Sequence, residues 1–120
     1  MRDHRKLKAF ELADALALQV YRETAGFPRE EIYGLTSQLR RAGVSVPSNM
    51  VEGCARNTEK DYLRFLDDAY GSAKEVEYQA SLASRLGYLK TNKLEEDAAE
   101  VARVLNALIN SLRKGGGKSE

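Results

Sequence analysis

The residues able to do covalent or metal chemistry are few: one histidine, His4, one cysteine, Cys54, and a run of hydroxyl and amide side chains at Ser45, Ser48 and Asn49 beside Glu52. A serine nucleophile needs a base to take its proton, and with His4 near the chain start only a lysine or a carboxylate such as Glu52 or Glu75 could serve. Metal sites in helical bundles use paired Glu-x-x-His motifs, which one histidine cannot supply, and Cys54 has no cysteine or histidine partner at metal-ligand spacing. The GGGK near the end, Gly115 to Lys118, lacks the preceding strand and following helix that make such a run a phosphate loop. The expectation is a protein without catalytic residues, cofactor or metal.

Binding is the chemistry left, and charge limits where it can occur. Nineteen Lys and Arg against eighteen Asp and Glu leave a net charge of +1, too little to pull the whole molecule toward nucleic acid or anionic lipid. A local patch must do it, and the arginines placed for one are Arg40, Arg41, Arg56 and Arg64. A lone cysteine excludes an intrachain disulfide framework, and no run approaches the roughly 20 apolar residues that cross a bilayer. MRDHRKLKAF also has no apolar stretch resembling a signal peptide, so the expected location is the cytoplasm.

The elements that position these residues are helical. With 42% hydrophobic and 31% charged residues and only two prolines, 120 residues suit one helix-rich domain over 1–114, with 115–120 expected as a disordered tail. In KAFELADALALQVYRETAG the residues Phe10, Ala13, Ala17, Val20 and Thr24 recur at three and four, with Leu12 and Leu16 widening the stripe, and Gly26 closes that helix. Pro28, Glu30 and Glu31 then supply a fixed φ and two carboxylates for the positive end of a second helix, expected from about Glu31 to Arg56. Thr58 with Asp61 starts a third helix, whose Tyr62, Leu66, Ala69, Ala73, Val76, Ala80 and Ala83 share one face until Gly87. Asn92 with Glu95 suits a fourth capping box, ahead of the stripe Leu94, Ala98, Val101, Leu105, Leu108 and Leu112. Short connections make successive helices neighbours, which predicts an all-α, up-down-up-down antiparallel four-helix bundle.

The second helix carries the chemistry. Leu35, Leu39, Ala42, Val46, Met50 and Gly53 fall within about 80° of one another and form its core face. Ser37, Gln38, Arg41, Ser45, Ser48, Asn49, Glu52 and Arg56 make a polar seam beside it, and Val44 and Val51 form a small apolar strip nearly opposite the core. Pro47 removes one amide and crowds the carbonyl of Gly43, a cost of about 3 kcal/mol unless the helix bends. GVSVPS therefore predicts a kink at Pro47, with Ser45 and Ser48 offering hydroxyls to freed carbonyls; a break into two helices is the alternative. A solvated face favours long Lys and Glu, with Glu52 and Arg56 as an ordinary i,i+4 pair. Ser, Asn and Gln beside two Arg suit fixed hydrogen bonds at an interface instead.

These blocks resemble a known family. FPREEIYGLTSQLRRAGVSVPSNMVEGCAR, FLDDAYGSAKEVEYQ and ASRLGYL are similar to the bacterial proteins first known from open reading frames inside 23S rRNA intervening sequences, with the match running from Phe10 to Leu112. The motif residues fall on Tyr33, Gly34, Leu35, Gln38, Arg41, Ser45, Pro47, Ser48, Asn49, Glu52, Gly53, Gly71, Ser72, Glu75 and Gly87, with Gly43 and Met50-Val51 where alanine and isoleucine-alanine are usual. The resemblance implies an antiparallel bundle that assembles as a homopentamer around a channel, with no established enzymatic activity. A more distant resemblance, to the accessory variability determinants of diversity-generating retroelements, implies binding to nucleic acid and a reverse transcriptase. Together these give the expected function: a non-catalytic oligomer that binds RNA or DNA, or alternatively a scaffold for a partner protein such as a reverse transcriptase. Arg40, Arg41, Arg56 and Arg64 are the candidate nucleic-acid contacts. Gln38, Arg41, Val44, Ser45, Pro47, Ser48, Asn49, Val51 and Glu52 are the candidate subunit-interface or structural residues.

Overall fold

In the computed structural model the backbone is described for residues 2–119 and the side chains for residues 2–115. The described residues form four helices, α1 (Lys8–Thr24), α2 (Leu35–Cys54), α3 (Glu59–Arg85) and α4 (Lys93–Ser119), with single 3-10 turns at His4–Lys6 and Arg29–Glu31. The tail expected over 115–120 falls, apart from Gly115, on residues whose side chains lie outside the described ones.

Each helix begins and ends where its local chemistry directs. Thr58 is extended, and its hydroxyl accepts from the Asp61 amide at 3.2 Å, which starts α3. Gly87, at φ +84°, ends it. There the Tyr88 amide donates to the Ala83 carbonyl and the Gly87 amide to the Ser84 carbonyl, the double closure that a left-handed glycine permits. At the start of α4 the expected Asn92 box takes a different form: Thr91 Oγ1 accepts from the Lys93 amide at 3.3 Å, and Asn92 accepts the Glu96 amide through its carbonyl.

The second helix starts later than expected. Residues 31–34 turn before α2 begins at Leu35, and Glu31 reaches forward so that its carboxylate accepts from the Leu35 amide at 2.9 Å and from the Tyr88 hydroxyl at 2.8 Å. One acid thus satisfies a free helix amide and ties the α1–α2 connection to the α3–α4 connection. α2 then runs unbroken through Pro47, so the alternative of two separate helices does not occur.

α1 packs on α2 and α4, and α3 packs on α2 and α4, while among the described residues neither diagonal pair brings Cα atoms within 8 Å. Antiparallel order follows from the cross-contacts: Ser45 meets Ser72 while Gly53, near the end of α2, lies against Tyr62 and Phe65 near the start of α3, and Arg113 pairs with Asp67 at 2.8 Å. The result is the predicted up-down-up-down antiparallel bundle, 52 × 21 × 20 Å. Its core takes the whole predicted stripe of α3, the predicted face of α2, and Leu94, Ala98, Val101 and Leu105 of α4. On α1 Ala13, Leu16, Val20 and Thr24 of the predicted stripe are buried together with Ala9, whereas Phe10, Leu12 and Ala17 are only half-buried. Each large apolar side chain so buried contributes about 1.5–3 kcal/mol, and four alanines on α3 let its neighbours approach closely.

Candidate functional site

α2 presents three surfaces. Toward α1 lie Gly43 and Pro47, both buried. A Cβ on Gly43 would stand 3.2 Å from a Val20 methyl, so the absence of a side chain there lets α1 approach α2. Sequence reasoning gave that glycine to the proline ring.

Toward α3 lies a polar seam with a fixed floor. The hydroxyls of Ser45 and Ser72 are 2.8 Å apart, and Asn49 Nδ2 donates to the Ser45 carbonyl at 2.8 Å and to its hydroxyl at 2.9 Å. Ser45 therefore spends its hydroxyl across the helix pair instead of on a carbonyl freed by Pro47. The groove above this floor is about 440 Å³ and is lined by Gln38, Arg41, Ala42, Ser45, Ser72, Glu75 and Gln79. Gln79 Oε1 is buried there and accepts no hydrogen bond. Glu77 Oε1, also buried, has the Lys74 ammonium at 2.9 Å as an ion-pair partner, which leaves Gln79 Oε1 without a donor among the described residues.

The third surface points outward. Val44 is 41% and Val51 39% exposed, and Leu18, Tyr21, Ile32 and Tyr33 are exposed with them on α1 and the α1–α2 connection. Two grooves flank this strip. One of about 540 Å³ holds Phe10, Asp14, Pro47, Ser48, Asn49, Val51 and Glu52; the other, of about 460 Å³, holds Tyr21, Ile32, Thr36, Ser37, Arg40, Arg41 and Val44.

The four candidate arginines do not form one patch. Arg40 donates from Nε to Thr24 Oγ1 at 2.9 Å and lies over the Tyr21 ring at 4.6 Å, so it is bound to the end of α1. Arg41 is exposed on α2 with no partner among the described residues. Arg56 and Arg64 sit at the far end, both over the Phe65 ring, at 5.4 and 4.6 Å. Thirteen residues of helical rise put Arg41 about 20 Å from the Cys54 end of α2, beyond which Arg56 lies. Arg56 Nε also donates to the Glu52 carbonyl at 3.2 Å, so the expected Glu52–Arg56 side-chain pair is replaced by a bond that closes the end of α2.

Sequence reasoning missed a second cluster at that end. The Arg2 amide donates to the Cys54 carbonyl at 3.0 Å, its guanidinium lies 4.1 Å over the Tyr62 ring, and it pairs with Glu59 at 3.1 Å. Burial pushes the Cys54 thiol up, and pushes the Tyr62 hydroxyl up to about 12. Both stay protonated at neutral pH. The isolated RD pair near the chain start gave no periodic signal by which to find this contact. His4 stacks edge-on against Phe10 at 4.7 Å, and among the described residues no cluster of His, Cys, Asp and Glu could hold a metal ion.

The fold and this surface define a class: small antiparallel four-helix bundles whose second helix carries a polar seam on one side and an apolar strip on the other. The profile of the 23S rRNA-intervening sequence protein family matches residues 5–109, and the chain belongs to that family. A crystal structure of a protein of unknown function from the S23 ribosomal protein family, from Bacteroides thetaiotaomicron, superposes with a TM-score of 0.75. It is 20% identical and the match covers 84% of this chain and 97% of that one, a likeness of fold. Comparison with curated proteins gives no match. No helix among the described residues is long and apolar enough to cross a membrane.

Proposed function

We propose that the protein is a non-catalytic building block that assembles with copies of itself through the outer face of α1 and α2, in the homopentameric form its sequence resemblance implies. The observation that carries this is the clustering of exposed apolar side chains: Leu18, Tyr21, Ile32, Tyr33, Val44 and Val51 lie on α1, α2 and their connection, while only Tyr78 and Leu86 of the exposed large hydrophobics lie elsewhere among the described residues. Tyr21, Ile32 and Val44 line one groove, and exposed apolar side chains gathered on one face mark an interaction site. Membership of the 23S rRNA-intervening sequence family supports the same reading. Sedimentation at micromolar concentration tests it, with a mass near five protomers expected. A monomer at every concentration sinks it, and a monomer that co-purifies with a second protein transfers the face to that partner.

Nucleic acid is the second reading, favoured by the two guanidiniums of Arg56 and Arg64 on one Phe65 ring, a cationic platform at one end of the bundle. Anisotropy with single-stranded DNA and structured rRNA fragments should show binding at low salt that falls steeply as salt rises, and Arg56→Ala with Arg64→Ala should flatten that slope. Absence of uptake at low salt removes this reading and leaves assembly standing.

A further inference from the structure

We propose that the strip of α2 from Val44 to Val51 docks into the α1–α4 groove of the next copy of this chain, so that copies join head to tail. The proposal rests on the self-assembly reading and names the face that receives the strip. Between α1 and α4 runs a groove of about 200 Å³ lined by Leu12, Ala15, Leu16 and Val101, with Gln19 one turn further along α1 and with Asp97 and Glu100 on α4. At about 100° per residue Leu18, 52% exposed, falls between Ala15 on the groove side of α1 and Asp14 on the strip side. An apolar crest therefore joins the two faces.

Two independent features match the strip to this groove. The first is height. Val20 of α1 lies against Gly43 of α2 and the two helices run in opposite directions, so counting from that contact puts Gln19 at the height of Val44 and Leu12 at the height of Val51. Groove and strip thus span the same stretch of the bundle. In a closed ring whose axis runs along the bundles every copy points the same way, so only surfaces at one height can meet. The second feature is charge. The groove beside Val44 carries Arg40 and Arg41 with no carboxylate, and the α1–α4 groove carries Asp97 and Glu100 with no cation. By the same count Glu23 stands at the height of Arg40, and its carboxylate accepts from Gln19 Nε2 at 2.7 Å. Asp97 and Glu100 pair with Lys93 and Arg103 on their own helix, but such exposed pairs are weak and leave the carboxylates open to a second cation. Arg41 has no ion pair among the described residues to give up.

The experiment sediments four preparations of the full chain: natural, Val44→Glu, Ala15→Glu, and the two variants mixed in equal amounts. Both positions are exposed, and circular dichroism with thermal melting checks that each variant keeps its fold. Val44→Glu sets a carboxylate against Asp97 and Glu100, and Ala15→Glu fills the groove with a charge that an apolar strip does not cover. Each alone should self-associate at least about tenfold more weakly than the natural chain. The mixture keeps one sound junction, the strip of the Ala15→Glu chain in the groove of the Val44→Glu chain, while every other junction has an altered side. It should sediment as two protomers and no more. Ala15→Glu that assembles like the natural chain overturns the proposal, because the strip would then be meeting another surface. So does a mixture that forms no two-protomer species at millimolar concentration, or one that regains full size. A natural chain that never assembles removes the self-assembly reading itself, an outcome visible before any variant is made.

Discussion

Glu31 shows how much one side chain can carry in a bundle of this size. Its carboxyl is held below the usual glutamate value, first by the Leu35 amide and then by the Tyr88 hydroxyl, both of which favour the charged form. A folded-state value below the unfolded one means the stabilisation is complete above the unfolded value, about 4.3, and is lost as pH falls through the folded value. Asp3, lowered by Arg5, loses its contribution in the same acid range, so the informative quantity is the difference between chains. Glu31→Gln should melt lower than the natural chain at pH 7, and the gap should close as the pH is taken from 5 toward 3. Thermal melts across that range measure it. A gap that stays constant would mean that the charge on Glu31 is not what holds the two connections together.

At the scale of the element, α2 and α3 are locked by a close approach where α2 ends and α3 begins. A Cβ on Gly53 would stand 2.9 Å from Phe65 Cβ and 3.3 Å from the Tyr62 carbonyl, so Gly53→Ala must push two helices apart. Overpacking of this kind costs about 1–3 kcal/mol, enough to outweigh the gain of about 1 kcal/mol from alanine's helix propensity. Gly71, in the middle of α3 with nothing within 4 Å of the same position, should show the propensity alone, and Gly71→Ala should stabilise by about 0.5–1 kcal/mol. Urea unfolding of the two variants separates the effects by sign. The contrast also shows what could be read from the chain and what could not. The faces of α2 and α3 were legible because burial there follows the helical period, and Thr58 and Gly87 were legible because a cap and a left-handed glycine act within a few residues. The start of α2 was not, because PREE has the composition of a first helical turn, and only the reach of Glu31 to Leu35 and Tyr88 shows that the chain turns before the helix begins. The partners of Ser45 and Gly43 were hidden for another reason: Ser72 and Val20 lie on other helices, and the sliding position of one helix against the next is set by packing that a single wheel does not contain.

At the scale of the whole molecule, the proposed self-assembly puts its test on the outer face of α1 and α2. A head-to-tail contact closes a ring only when this face meets a different face of the next copy, whereas contact of this face with itself stops at a dimer. The apolar strip should supply most of the affinity, since Val44 and Val51 would leave water on contact. Val51→Lys places a charge on the strip, and Ser48→Glu adds one in the groove beside Val51, so both should convert the assembled species to monomers at concentrations where the natural chain is fully associated. Lys93→Glu, at the exposed start of α4, removes a pair with Asp97 but lies off this face and should leave the mass unchanged. Sedimentation of the three variants side by side decides the matter: dissociation by Lys93→Glu, or intact assembly in Val51→Lys, would place the contact on a different pair of helices.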